Sequence, residues 1–192
     1  MTTAQIPGLF LVEPVDAAEA ARWTTAEERQ TAAAFPSQRR RAEYLSWRTV
    51  VRRLLGADVQ IGYNEIGAPV LKNRNLHIGV AHCEGRIAVC ISERPCAVDI
   101  EPEGRDFRRA ASRYLAPEER ALSGDELLPA AVWCAKETLY KYSGRTELDL
   151  LRDIRILQVD VAVGTIRGRI ENGEPIALTL LRRDGFIVVC RL

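Results

Sequence analysis

The sequence predicts an α+β fold made of two similar α/β lobes related by pseudo-twofold symmetry. Residues 22–29 (RWTTAEER) and 113–120 (RYLAPEER) keep an arginine, an aromatic residue and Glu-Glu-Arg in the same order. A second pair of similar segments lies at the end of each half, where EGRIAVC at 84–90 resembles DGFIVVC at 184–190. Self-similarity repeated in a fixed order indicates an internal duplication. The predicted lobes are residues 1–98 and residues 99–192.

Each half also contains one long helix that a glycine ends. Thr25 and Glu28 have the spacing of a capping box, which starts a short helix ahead of the first long one. The long helices are predicted from about residue 37 to 55, before Gly56, and from about 130 to 143, before Gly144, since glycine is the usual residue just past a helix end. Strands follow each long helix.

The first long helix has a core face and a basic face. Tyr44, Trp47 and Val51 recur at helical spacing and are expected to be buried. Arg48 and Arg52 lie on a neighbouring face, which is either a solvated basic edge or an anion site. The strand after this helix is predicted over residues 76–81 with His82 at its end, and later hairpin turns are predicted at Asn172-Gly173 and Asp184-Gly185.

Three carboxylates and a lysine are predicted to converge. Asp99 and Glu101 alternate on one face of a strand in AVDIE at 97–101, while Glu137 and Lys141 lie one turn apart on a helix. Oxygen ligands of this kind suit Mg²⁺, which proteins hold with a few carboxylates plus substrate phosphates and waters. The pattern therefore indicates phosphate chemistry. The simpler interpretation is a helix-stabilising Glu-to-Lys pair and two solubilising acids on an edge strand.

Composition indicates a globular enzyme. The chain has 192 residues, 47% hydrophobic content and a formal net charge of +1, which is less basic than a typical nucleic-acid-binding domain. The first sixteen residues lack a basic signal-peptide region and no apolar run is long enough to span a membrane, so a cytoplasmic location is expected. Six arginines nevertheless fall within fifteen positions and could form a local anion site. They are Arg39, Arg40, Arg41, Arg48, Arg52 and Arg53.

The five cysteines are expected to be reduced. They form an odd set without a CxxC pair, in a chain long enough to fold without disulfides. A zinc site from His82, Cys83, Cys90 and Cys96 is disfavoured, because their spacing matches no common zinc motif.

The motifs resemble those of the 4'-phosphopantetheinyl transferase superfamily, specifically its larger pseudo-dimeric branch of the surfactin-synthetase-activating type. AVDIE at 97–101 is similar to the family's Gly-Ile-Asp-Ile-Glu strand, and WCAKETLYK at 133–141 to its Trp-Ser-x-Lys-Glu-Ala-x-x-Lys helix. RYLAPEE at 113–119 looks like the Arg-Phe-Phe-Ser-x-x-Glu block. Upstream, GAP at 67–69 and AHC at 81–83 resemble Gly-Lys-Pro and Ser-His-Ser motifs.

The resemblance implies a Mg²⁺-dependent transfer of the phosphopantetheine arm of coenzyme A to a serine of an acyl or peptidyl carrier protein, releasing adenosine 3',5'-bisphosphate. It implies a monomer with coenzyme A in a cleft between the lobes. The N-terminal lobe would bind the 3'-phosphate and the C-terminal lobe would carry the metal and the chemistry. The implied metal ligands are Asp99, Glu101 and Glu137; the catalytic residues are Glu137 as base and Lys141; the coenzyme contacts are Arg40, Arg48, Arg52, His82, Lys136 and Lys141.

Departures from the family pattern leave alternatives open. Ala68 replaces a lysine, Ala81 and Cys83 replace hydroxyl residues, and Ala97 stands where glycine is usual. A catalytically impaired module that binds coenzyme A or a carrier protein is therefore one alternative, and a Mg²⁺-dependent phosphohydrolase is another. The sequence does not identify the carrier, nor which of Arg39, Arg40 and Arg41 contacts the coenzyme.

Overall fold

The computed structural model describes residues 7–192 of the chain. It is a mixed α+β structure with two compact units, one ending at Pro95 and the other beginning at Cys96. Within the described residues, no helix is both long enough and apolar enough to cross a membrane.

From residue 7 onward, the N-terminal unit contains three helices with well-formed starts. Thr25 and Glu28 form the predicted capping box, in which each side chain accepts a hydrogen bond from the other residue's backbone N–H. Ser37 caps the long helix, and Gly56 ends it as predicted. The helices are α1 (Ala17–Trp23), α2 (Ala26–Ala33) and α3 (Gln38–Leu55).

The strands of this unit are β1 (Gly8–Val12), β2 (Ile61–Tyr63), β3 (Pro69–Leu71), β4 (His77–Cys83) and β5 (Arg86–Ser92). An antiparallel sheet has the order β1-β5-β4, and β2 pairs with β3 in a separate hairpin. The strand predicted to end at His82 is β4, which extends one residue further, to Cys83. The helix α3 packs Trp47 and Val51 on this sheet, as its spacing predicts. The burial of Arg48 and Arg52 in the same unit was not predicted.

The C-terminal unit contains one five-stranded antiparallel sheet and one long helix. The strands are β6 (Ala97–Pro102), β7 (Ile154–Asp160), β8 (Thr165–Ile170), β9 (Ile176–Arg183) and β10 (Phe186–Arg191), in the order β6-β10-β9-β8-β7. The helix is α4 (Leu128–Ser143), which Gly144 ends in the left-handed conformation. Short 3-10 turns at Arg108–Arg113 and Glu119–Ala121 connect β6 to α4. The helix packs Val132, Ala135 and Leu139 on the sheet, all fully buried.

The two units share two local features, of which the repeated sequence lines predicted the turn before the last strand. In each, the first strand pairs antiparallel with the last, β1 with β5 and β6 with β10. Both final hairpins have a two-residue turn in which both residues have positive φ, Glu84-Gly85 and Asp184-Gly185. The described strands of the N-terminal unit form a three-stranded sheet and a separate hairpin, whereas the five strands of the C-terminal unit form one sheet, and the pseudo-twofold arrangement stays a prediction.

Candidate active site

Asp99 and Glu101 lie on the face of β6 that packs against α4. Alternation along the strand puts both carboxylates on this face, where helix side chains meet them. The Lys141 Nζ donates to Asp99 Oδ1 at 2.7 Å and to the Val98 carbonyl at 3.2 Å. The Trp133 indole N–H donates to Glu101 Oε1 at 3.0 Å. Strand and helix thus bring two of the predicted acids and the predicted lysine into contact.

Glu137 lies one helical turn before Lys141 and is half-buried. Burial raises the pKa of Glu137, and the negative charges of Asp99 and Glu101 raise it further, while Lys141 opposes the shift. Among residues 7–192 no hydrogen bond to the Glu137 carboxylate is formed. We name Asp99, Glu101 and Glu137 the carboxylate cluster, since the three side chains influence one another electrostatically.

Three neighbours of the carboxylate cluster were missed at the sequence level. Arg105 forms an ion pair with Glu101, which raises the pKa of Arg105, and its guanidinium lies 5.6 Å from the Trp133 ring. The thiol of Cys134 is buried, and burial followed by the charge of Asp99 raises its pKa well above the usual value. Arg105 follows Glu101 by four residues, but this spacing has no meaning in a loop beyond a strand. Trp133 was expected only to pack in the core.

The carboxylate cluster suits Mg²⁺ in the kind of donor it offers. Asp99 Oδ2 is buried without a hydrogen-bond partner, and Glu137 also leaves its oxygens open. However, Lys141 occupies Asp99 Oδ1, and both Arg105 and Trp133 occupy Glu101 Oε1. Within the described part of the chain, no three His, Cys, Asp or Glu side chains are grouped so that they could hold a metal ion. The three-ligand magnesium site therefore stays a prediction.

A second polar group lies in the N-terminal unit, where α3 meets β4. The Arg40 guanidinium contacts Nε2 of His82. Because arginine only donates, Nε2 accepts and the proton sits on Nδ1, which faces Glu43 Oε2 at 3.2 Å. Glu43 is buried, and the side chain of His82 is 32% exposed. Glu43 thus orients the histidine while Arg40 and His82 stay accessible to an anion.

Arg48 and Arg52 were predicted to contact coenzyme A, and the structure places both side chains in the interior of the N-terminal unit. Both are almost fully buried. The Arg52 fork binds both oxygens of Glu28 at 2.7 and 2.8 Å, and Arg48 lies 3.4 Å from the same carboxylate. The Arg48 guanidinium also stacks on Tyr44 at 3.4 Å from the ring centroid and donates to the Tyr63 hydroxyl. Both guanidinium groups are therefore enclosed by their own unit.

Lys136 was also predicted to contact coenzyme A, and the structure places it in the interior of the C-terminal unit. Its side chain has no exposed surface. Its Nζ lies 2.9 Å from Glu119 Oε2 and donates to the Leu150 carbonyl at 2.8 Å. Glu119 in turn accepts backbone N–H groups of Ala116 and Ile156. Lys136 therefore anchors α4 to its own unit.

Glu28 and Glu119, the acids of these ion pairs, occupy equivalent places in the repeated lines. Glu28 and Glu119 are both the seventh residue of their line, and each accepts the backbone N–H three residues upstream. Each pairs with a cation eight residues before the glycine that ends the long helix, Arg48 or Lys136. The repeated glutamate was the one sequence signal for these ion pairs.

A comparison with family models bears on the C-terminal unit. Residues 95–187 match the 4'-phosphopantetheinyl transferase superfamily. The matched segment is a little under half of the 192-residue chain. A comparison with curated proteins finds none that matches.

We call residues 95–187 the superfamily segment. It begins just before β6, ends within β10, and contains the whole carboxylate cluster together with Lys141. Arg40 and His82 lie outside the matched residues. The match is a similarity of this segment to the superfamily and does not resolve a branch within it.

Proposed function

We propose that this protein transfers the 4'-phosphopantetheine arm of coenzyme A to a serine of an apo carrier protein, with Mg²⁺, releasing adenosine 3',5'-bisphosphate. The observation that carries the proposal is the superfamily segment, in which Trp133 and Lys141 of helix α4 donate to Glu101 and Asp99 of strand β6. The acyl or peptidyl carrier protein and the pseudo-dimeric branch come from the motif resemblance alone.

Glu137 is the proposed base that takes the proton of the carrier serine. An isolated glutamate is a weak base at neutral pH, and a base is most effective when its pKa approaches the working pH. Burial and the charge of Asp99 raise the pKa of Glu137, which moves it in the useful direction. Its carboxylate also makes no competing hydrogen bond within residues 7–192.

Lys141 is proposed to bind the pyrophosphate of coenzyme A. Its side chain is 35% exposed, and its ammonium donates to Asp99 and to the Val98 carbonyl. A positioned cation stabilises charge that develops on the leaving phosphate. The residues that would hold Mg²⁺ are Asp99, Glu101 and Glu137, and the ion would supply further charge neutralisation at the phosphates.

The 3'-phosphate of coenzyme A is assigned to Arg40 and His82 of the N-terminal unit. An arginine fork binds phosphate through charge-assisted hydrogen bonds. The accessibility of these two side chains and the buried pairing of Arg48 and Arg52 favour this reduced set.

A transfer assay with purified protein tests the proposal. Coenzyme A, Mg²⁺ and an apo carrier protein are mixed, and the mass gain of the carrier is followed. Glu137→Gln and Asp99→Asn should each lower the rate by at least about a hundredfold, because a positioned base is worth roughly 10²–10⁴. Glu174→Gln removes an exposed carboxylate in the turn between β8 and β9 and is the matched control. Full activity in both site variants would refute the mechanism.

The alternative of a binding module is decided by the same experiment. Coenzyme A binding without modification of any apo carrier tested would favour it. The departures at Ala68, Ala81, Cys83 and Ala97 give this alternative its basis. Release of phosphate from coenzyme A without a carrier would instead indicate a phosphohydrolase.

A further inference from the structure

An arginine cluster lies on the sheet of the C-terminal unit, on the face opposite α4. Ile154 and Ile156 of β7 are buried in the core with α4, so Arg155 between them points to the other face. Arg155 is paired directly opposite Arg169 of β8. Like charges directly opposite each other destabilise a sheet, so this pair calls for a compensating negative charge.

Asp153 and Glu171 line the same surface as this pair, but within residues 7–192 neither forms an ion pair with Arg155 or Arg169, and Glu171 instead pairs with Arg145. The Nε of Arg169 is buried and has no hydrogen-bond partner, and no ion pair to Arg169 is formed within residues 7–192. Arg155 approaches Glu118 only at 3.5 Å, in a pair that is exposed to solvent. An unsatisfied buried donor is rare in proteins and often marks a bound ion or water.

Arg155 and Arg169 line a concave surface that encloses a volume of about 950 Å³. Arg152 lines the same surface. A fourth arginine, Arg145, is already occupied by Glu171 and Glu147. The charged residues of the lining are Arg145, Arg152, Asp153, Arg155, Arg169 and Glu171.

We propose that Arg152, Arg155 and Arg169, the β7–β8 arginine site, bind a phosphate-type dianion. Arginine forks match the oxygens of a tetrahedral oxyanion and bind it through charge-assisted hydrogen bonds. The anion supplies the charge that the opposed pair lacks and an acceptor for the buried Nε of Arg169. This site is independent of the transfer proposed above, and free phosphate and the phosphate group of a larger molecule share the required chemistry.

Calorimetric titration of the full chain with inorganic phosphate, at constant ionic strength, tests the site. Arg155→Gln and Arg169→Gln should each weaken saturable binding by at least about tenfold, as expected for losing charge-assisted hydrogen bonds. Arg167→Gln is the matched control, because it removes the same charge from β8 at a position that faces Gln158 and does not line the concave surface. The affinity of this variant for phosphate should stay within about twofold of the wild-type value. The titrations are repeated in an Arg40→Ala background, which removes the phosphate contact proposed for the N-terminal unit, so that the remaining binding reports on the β7–β8 arginine site.

Thermal unfolding separates lost binding from damaged folding. In phosphate-free buffer, Arg169→Gln should melt at or above the wild-type temperature, because the like-charge pair is relieved. Adding phosphate should then raise the melting temperature of the wild type more than that of the variant. Absence of saturable binding, unchanged affinity in both glutamine variants, or an equal loss in Arg167→Gln would overturn the proposal. Malonate bound as tightly as phosphate would overturn the assignment to a phosphate group.

Discussion

Replacing Lys136 with methionine distinguishes a buried anchor from a coenzyme ligand. The Lys136 side chain is fully buried and its Nζ lies 2.9 Å from Glu119 Oε2, which is itself 1% exposed. The substitution leaves Glu119 with two backbone N–H donors but without a counter-charge. Removing one partner of a buried ion pair costs about 3–5 kcal/mol. For a chain of this size that corresponds to a melting temperature lower by roughly 6–20 °C.

The assay combines thermal unfolding with steady-state transfer kinetics at a temperature where both proteins are folded. The Michaelis constant for coenzyme A should change by less than about threefold, since no ligand contact is lost. In the Lys136→Met background, Glu119→Gln should recover part of the lost stability, because it removes the uncompensated charge and keeps an oxygen acceptor. An unchanged melting temperature together with a raised Michaelis constant would support Lys136 as a coenzyme ligand and refute the burial argument.

The remaining predictions concern the other charged groups. Arg52→Ala should lower the melting temperature and leave the Michaelis constant for coenzyme A nearly unchanged, because it strips Glu28 of its bidentate partner; a purely kinetic effect would contradict this. Arg40→Ala should raise the Michaelis constant for coenzyme A but not for its 3'-dephospho form, and equal effects on both substrates would remove Arg40 from the 3'-phosphate site. In metal-free protein, carbon-detected NMR should give Glu137 a titration midpoint above 4.5, and Asp99→Asn should lower that midpoint. Because folding raises the pKa of Glu137, the stability that this group contributes is present below pH 4.5 and declines as the pH rises through the folded pKa.

The sequence predicted those features whose physics is local. The capping box of Thr25 and Glu28, the long helices ended by Gly56 and Gly144, and the Asp184-Gly185 turn all follow from hydrogen bonds or backbone angles within a few residues. Each was found where its pattern indicated, since neighbouring residues alone decide it.

The electrostatic partners could not be predicted in this way. Arg52 lies 24 residues from Glu28, and Lys136 lies 17 residues from Glu119, so no local pattern reveals either pair. Arginines at helical spacing form the same sequence pattern whether they bind phosphate or are buried within their own unit. The like-charge pair of Arg155 and Arg169 likewise appears only when β7 and β8 are set in register.

The sequence by itself determined the helices, the tight turns, and which acids share the face of a strand or helix, because these depend on backbone geometry repeated every few residues. Only the tertiary structure decided which charges stay available. Arg48, Arg52 and Lys136 are buried and paired with acids of their own units, whereas Arg40, His82 and Lys141 keep accessible surface. Burial and charge pairing depend on segments distant along the chain, and the cost of leaving a buried charge unpaired fixes those partners once the chain has folded.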